Sequence, residues 1–240
     1  MKVIIVEDYE KMVKKAFRII KNIVKTNPYA VLGLVSGSTT IGLYKLMAED
    51  CKENKTSYEH IRTVNLDEYK GLAATNEQSY AYFMRKHLFD ELDVNEDNIN
   101  IEYGLAEDDE KECKRYDELL ESLPRDIQIL GLGSNGHIAF NEPDTRFGSE
   151  THVANLTEST INDNSRLFKD KSDVPKQAYT VGLKSIMQAK RILLLASGAS
   201  KAEAVYKLVK GEITEEIPAS VLQLHPNCTV IVDKDAAKLL

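Results

Sequence analysis

Short apolar runs recur along the chain at 3–6, 30–35, 61–66, 127–132, 192–196 and 229–232, and longer amphipathic stretches separate them. Most of the runs carry consecutive apolar residues rather than one at every second position, so the strands they form are expected to be covered on both faces. Doubly covered strands alternating with helices are the pattern of parallel β-α-β units. In the first helical stretch Met12, Val13, Ala16, Phe17, Ile20, Ile23 and Val24 fall on one face, and Asp8 stands where an N-cap belongs. A second helix starts near Thr39, and further helices are expected over 77–92, 108–123 and 200–210. The expected fold is α/β and Rossmann-like, a mostly parallel sheet with helices on both faces. No linker interrupts the chain, so 1–240 is expected to be one domain. The long polar stretch 144–176, which lacks a clear strand core, is expected to be a mobile lid.

In such a sheet ligands bind beyond the carboxyl ends of the strands, beside helix N-termini. Three stretches lie there. Ser36–Thr40, SGSTT, combines small residues with hydroxyls at the start of a helix, which suits a phosphate and equally suits a capped turn. It lacks the lysine of a Walker A loop and is not GxGxxG. In VNLDEYKGL, Asp67 and Glu68 follow a strand; Asp67 could act as a base, or it could cap a turn while Glu68 faces water. In GLGSNGHIAFNEP, three glycines turn the chain so that His137 enters the crevice, with Glu142 close by to orient and charge-stabilise it. A plain loop histidine fits that stretch as well. Arg166 and Lys201 are candidate phosphate clamps, each of them also an ordinary surface cation.

Charge and cysteines narrow the classes. With 31 Lys and Arg against 38 Asp and Glu the net charge is −7, and no basic block occurs, which argues against nucleic-acid or anionic-membrane partners. Cys51, Cys113 and Cys228 are scattered without zinc or redox spacing, as in a reducing compartment. His152 and His225 are isolated, so no metal site is expected, and there is no GxSxG. The N-terminus reads as neither signal nor anchor, and no run spans a bilayer, so a cytoplasmic location is expected.

Taken together, GLVSGSTTIGLYK, VNLDEYKGL with SYAYFMRKHLF, GLGSNGHIAFNEP, NSRLF, VPKQAYTVGL and ASVLQLHP resemble the glucosamine-6-phosphate deaminase (glucosamine-6-phosphate isomerase) family from about residue 30 to the C-terminus. The resemblance implies conversion of glucosamine 6-phosphate and water to fructose 6-phosphate and ammonia, with no cofactor. It implies that His137 opens the ring, that Glu142 supports it, and that Asp67 moves a proton between C2 and C1. It places the phosphate on Gly37, Ser38 and Thr39, with Arg166 and Lys201 reaching it, and makes the segment after Pro143 the lid. Many members carry Asp where this chain has Asn135. An amide there is expected to accept a hydrogen bond from the imidazole and fix its tautomer without adding charge. Longer members carry a C-terminal extension linked to allosteric hexamers; this chain ends soon after its last strand, so activation by N-acetylglucosamine 6-phosphate is not expected. Nothing in the residues selects a monomer over a homo-oligomer. Two rivals share the fold: 6-phosphogluconolactonase, whose ester hydrolysis does not call for NLDEY, and a non-catalytic sugar-phosphate-binding regulator, which would not need Asp67, His137 and Glu142 together.

Overall fold

The computed structural model describes residues 1–53, 55–165 and 168–240. Its strands are β1 (Lys2–Val6), β2 (Val31–Leu34), β3 (Arg62–Asn65), β4 (Asp67–Tyr69), β5 (Ile99–Asn100), β6 (Ile127–Leu130), β7 (His152–Asn155), β8 (Gln177–Thr180), β9 (Ile192–Ala196) and β10 (Cys228–Asp233). Its α-helices are α1 (Tyr9–Thr26), α2 (Ile41–Lys52), α3 (Tyr80–His87), α4 (Asp109–Ser122), α5 (Glu158–Ser165), α6 (Leu183–Met187) and α7 (Ala202–Lys210).

Seven strands form a wholly parallel sheet in the order β1-β10-β9-β6-β2-β3-β5. All six apolar runs of the sequence lie in it, so the α/β expectation holds. The central strands β2, β6 and β9 are buried at every residue, which is why they read as mainly apolar runs, Gln128 in β6 excepted. On α1, Met12, Val13, Ala16, Ile20, Ile23 and Val24 are the buried face, and the Asp8 carboxylate caps the helix by accepting from the Lys11 N–H at 2.7 Å.

From β2 the chain steps to β3 and β5 on one side, then returns to β6 on the other. The loops leaving β2 and β6 therefore diverge and leave a crevice at the carboxyl edge of the sheet.

Where β3 ends, the chain leaves the main sheet within one residue. Leu66 is held by the Val181 N–H at 2.8 Å, and β4 then pairs antiparallel with β8, and β8 with β7. This small sheet has its own cluster, in which the Tyr80 and Phe140 rings stack at 5.8 Å beside Tyr69. It was not apparent in the sequence: β7 lies inside the polar stretch 144–176, where no strand was expected, because only one of its four residues is buried. Similarly, the helix expected over 77–92 is shorter, since Ser79 accepts from the Tyr82 N–H and starts α3 late.

Leu194 is fully buried in β9 between Val230 and Leu130. Leu194→Ala should cost about 2–5 kcal/mol in chemical denaturation. Asp8→Ala, which removes only a cap, should cost about 1 kcal/mol.

Candidate active site

The crevice between the diverging loops is a cavity of about 600 Å³. Its lining includes Gly37, Ser38, Thr39, Asp67, His137 and Lys201, so six expected site residues from four post-strand loops meet in one place. Asn135 and Glu142 stand directly behind His137. Arg166 lies outside the described residues.

The loop after β2 narrows into a single 3-10 turn, Ser38–Thr40, that runs into α2. Gly37 has φ +134°, and a side chain there would meet open space, so the backbone conformation rather than packing demands glycine. Thr40 Oγ1 donates to the carbonyls of Val35 and Gly37, and the Tyr44 hydroxyl donates to Val35 O at 2.6 Å. From α1 the Tyr9 hydroxyl donates to Thr39 O at 3.1 Å and accepts from the Gly42 N–H at 3.0 Å. The loop after β9 repeats the design with the 3-10 turn Ala199–Lys201 ahead of α7. There the Asp233 carboxylate accepts from the Gly198 and Ala236 amides and from the Ser197 hydroxyl. Two helix N-termini thus open onto one crevice, with a lysine between them, which is the electrostatic setting for an anion.

Asp67 is the first residue of β4, two beyond the end of β3, and it is 3% exposed. Its Oδ1 has no hydrogen-bond partner among the described residues. Burial, and then the charge of neighbouring Glu68, push its carboxyl well above the usual carboxylate range. A carboxyl so placed, in the cavity wall with one oxygen buried and unpartnered, holds a proton more tightly than an exposed one.

His137 lies flat on the backbone. A Cβ on Gly133 would sit 2.3 Å from the imidazole, so no other residue fits at that position. The turn behind it carries Ala139 at φ +52°, a conformation that costs about 1–3 kcal/mol unless its surroundings enforce it. They do: Phe140 N–H donates to Thr180 Oγ1 at 3.0 Å, and Asn141 Nδ2 donates to Ile138 O and Val181 O.

His137 Nδ1 faces Glu142 Oε2 at 3.6 Å and the Thr160 hydroxyl at 3.5 Å. Burial alone would raise the Glu142 carboxyl, but His137, Thr160 and Asn135 hold it down to about 2. Asn135 corrects an expectation. Its Nδ2 donates to Glu142 Oε2 at 2.9 Å, and its Oδ1 accepts from the His137 backbone N–H at 3.2 Å. The amide therefore orients the carboxylate and the peptide rather than the ring, because the turn places it beside Glu142.

Three contributors were missed in the sequence. Thr157 donates to Glu142 Oε2 at 3.2 Å, and Thr160 contacts His137 Nδ1. Both come from the start of α5, in the stretch read only as a lid. Tyr80 lines the cavity from the first position of α3. Its signal was Ser79, an N-cap directly ahead of an aromatic residue. Glu68 also differs from the expectation that it might face water: it is 1% exposed. Among the described residues no three His, Cys, Asp or Glu side chains gather as metal ligands would. Nor is any described helix long and apolar enough to cross a membrane.

Known proteins resemble the chain in sequence and in fold. The family described as glucosamine-6-phosphate isomerases/6-phosphogluconolactonase matches residues 7–231. A glucosamine-6-phosphate deaminase of Thermoanaerobacter pseudethanolicus is 50% identical, over 100% of this chain and 95% of the relative. One from Clostridium botulinum is 48% identical, over 100% and 99%. The solved structure of a monomeric glucosamine-6-phosphate deaminase matches with a TM-score of 0.98 at 46% identity, covering 100% of both chains. A 6-phosphogluconolactonase from Trypanosoma brucei has a TM-score of 0.81 at 20% identity, covering 100% of this chain and 98% of that one, a likeness of fold alone. With its full length matched at this identity, the chain belongs to the glucosamine-6-phosphate isomerase/6-phosphogluconolactonase family.

Proposed function

We propose that the protein is a glucosamine-6-phosphate deaminase, converting glucosamine 6-phosphate and water to fructose 6-phosphate and ammonia. The observation that carries this reading is the meeting of two proton carriers at one crevice: Asp67 in its wall, and the His137–Glu142 pair. Relatives at about half identity bear that name along the whole chain.

The phosphate sits on Gly37, Ser38 and Thr39, where α2 begins, and Lys201 with Arg166 supplies the positive charge. Binding energy gained there, away from the reacting carbons, holds the sugar in the reactive pose. His137 moves the proton of the C1 hydroxyl to the ring oxygen, opening the ring. Its Nδ1 is engaged by Glu142, so Nε2 is the nitrogen that exchanges this proton. The low Glu142 value supports the role, since a carboxylate that stays ionised stabilises the imidazolium. Asp67 then takes the C2 proton and returns it to C1. As the C2 nitrogen becomes an imine, a proton passes from it to the C1 oxygen; water then adds at C2 and ammonia leaves. The upward shift of Asp67 suits a base that must both take and give back a proton. Thr157 and Thr160 tie the start of α5 to this chemistry, so the segment 144–176 acts as the lid over the opened sugar. The whole chain works as one catalytic unit. The free, scattered cysteines fit a cytoplasmic setting.

Incubation with glucosamine 6-phosphate should release ammonia and fructose 6-phosphate in equal amounts, while 6-phosphogluconolactone should give no acid above background. Faster hydrolysis of the lactone would replace this reading, and binding of the sugar phosphate without turnover of either compound would leave a regulator. Asp67→Asn should lower kcat by about 10²–10⁴-fold with ligand binding retained, as seen by calorimetry with a sugar-phosphate inhibitor. Glu142 has a folded value below its ordinary 4.5, so its contribution to stability is complete above that pH and is lost as the pH falls toward about 2. Denaturation at stepped acidic pH should therefore show a steeper loss in this interval for the parent protein than for Glu142→Gln.

A further inference from the structure

Glu68 does not line the cavity, yet it is among the most deeply buried charged residues of the chain. Its Oε1 accepts from the N–H groups of Tyr69 at 2.7 Å and Tyr80 at 2.9 Å, and its Oε2 accepts from the Ala81 N–H at 2.8 Å. Two of those donors are the first amides of α3. A glutamine of the same shape could accept at one oxygen only, so the site is built for an ionised carboxylate.

Resting on the assignment of Asp67 as the base, we infer that Glu68 is a positioning residue for the reaction: an anion anchored on the N-terminus of α3 whose charge sets how tightly Asp67 holds its proton, and whose hydrogen bonds fix Tyr80 in the cavity wall. Consecutive residues of β4 point to opposite faces, so Asp67 reaches the crevice while Glu68 reaches α3, with a single peptide bond joining them. In a buried setting a neighbouring negative charge acts with little screening.

Burial disfavours the charged form of most other groups around the pair. Burial raises Tyr44, Tyr69 and Tyr80. Glu102, which follows β5, is raised well above the usual range by burial and then by Asp67, and neither of its oxygens has a hydrogen-bond partner among the described residues. Beyond it, Glu112 is paired with Arg115, and burial also raises Tyr116 and Cys113. Burial lifts Glu68 too, but the three amides oppose it and leave it at about 7. Of these groups, Glu68 is therefore the one whose anionic form is held by backbone hydrogen bonds.

The test compares kcat/KM against pH for the parent protein, Glu68→Gln and Glu68→Asp, together with carbon-13 NMR titration of the Asp67 carboxyl in the free protein, its resonance identified by its loss in Asp67→Asn. Removing the negative charge lowers the proton affinity of Asp67, so in Glu68→Gln both the acid limb and the NMR titration should move down by about one pH unit. Glu68→Asp keeps the charge but is too short to reach Tyr80 and Ala81, so kcat should fall with the acid limb in place. A Glu68→Gln protein whose rate drops equally at every pH, with the Asp67 titration unmoved or raised, would reduce Glu68 to a structural brace and overturn the inference. If Glu68→Gln does not fold, the parent protein alone decides: the Asp67 and Glu68 resonances should each titrate in two coupled steps, and independent single steps refute the coupling. Should Asp67→Asn retain turnover while the NMR coupling holds, it is the assignment of the base that fails.

Discussion

The site depends on a reversal in strand order. Because β3 and β5 lie to one side of β2, and β6, β9 and β10 to the other, the loops after β2 and β6 part from each other. An all-parallel sheet aligns the carboxyl ends of its strands, so this parting opens a crevice on the edge where helix N-termini also emerge. Everything the chemistry calls for is then a matter of which residues follow which strand. Glycine and hydroxyl residues follow β2, a carboxylate follows β3, the histidine turn follows β6, and a lysine follows β9. None of these residues is near another in the chain; the topology alone brings them together.

Burial supplies the second layer. Asp67 and Glu142 are both nearly inaccessible carboxylates in one site, and they are driven in opposite directions. Asp67 has a bare oxygen and an anionic neighbour, which favour the protonated form. Glu142 has His137, Asn135, Thr157 and Thr160 around it, and the first two with Thr160 keep it ionised. Desolvation is common to both, so the partners decide. Two carboxylates separated in this way can serve as a proton carrier and a fixed counter-charge without a cofactor to distinguish them.

What could be read in the sequence follows from the same physics. The six apolar runs identified six of the seven strands of the main sheet, because strands covered on both faces are built mainly of apolar residues. The glycines around His137 and the carboxylate after β3 were legible because they break that pattern abruptly. The second sheet was hidden: β4 and β7 are three and four residues long and carry polar side chains, and their pairing with β8 spans distant parts of the chain. Thr157 and Thr160 were missed for a related reason. Their value lies in facing Glu142 across the fold, and nothing local distinguishes them from other cap residues. Asn135 was placed correctly but given the wrong contact, since which neighbour an amide chooses is decided by the turn around it.

The hydroxyl of Tyr9 contributes no atom to the cavity, yet it grips both Thr39 and Gly42 at the start of α2. The first helix is thereby a buttress for the loop after β2, clamped from outside the crevice. The same hydroxyl occupies the Gly42 amide, so a side chain some thirty residues earlier sets which backbone donors at the start of α2 stay open to the crevice.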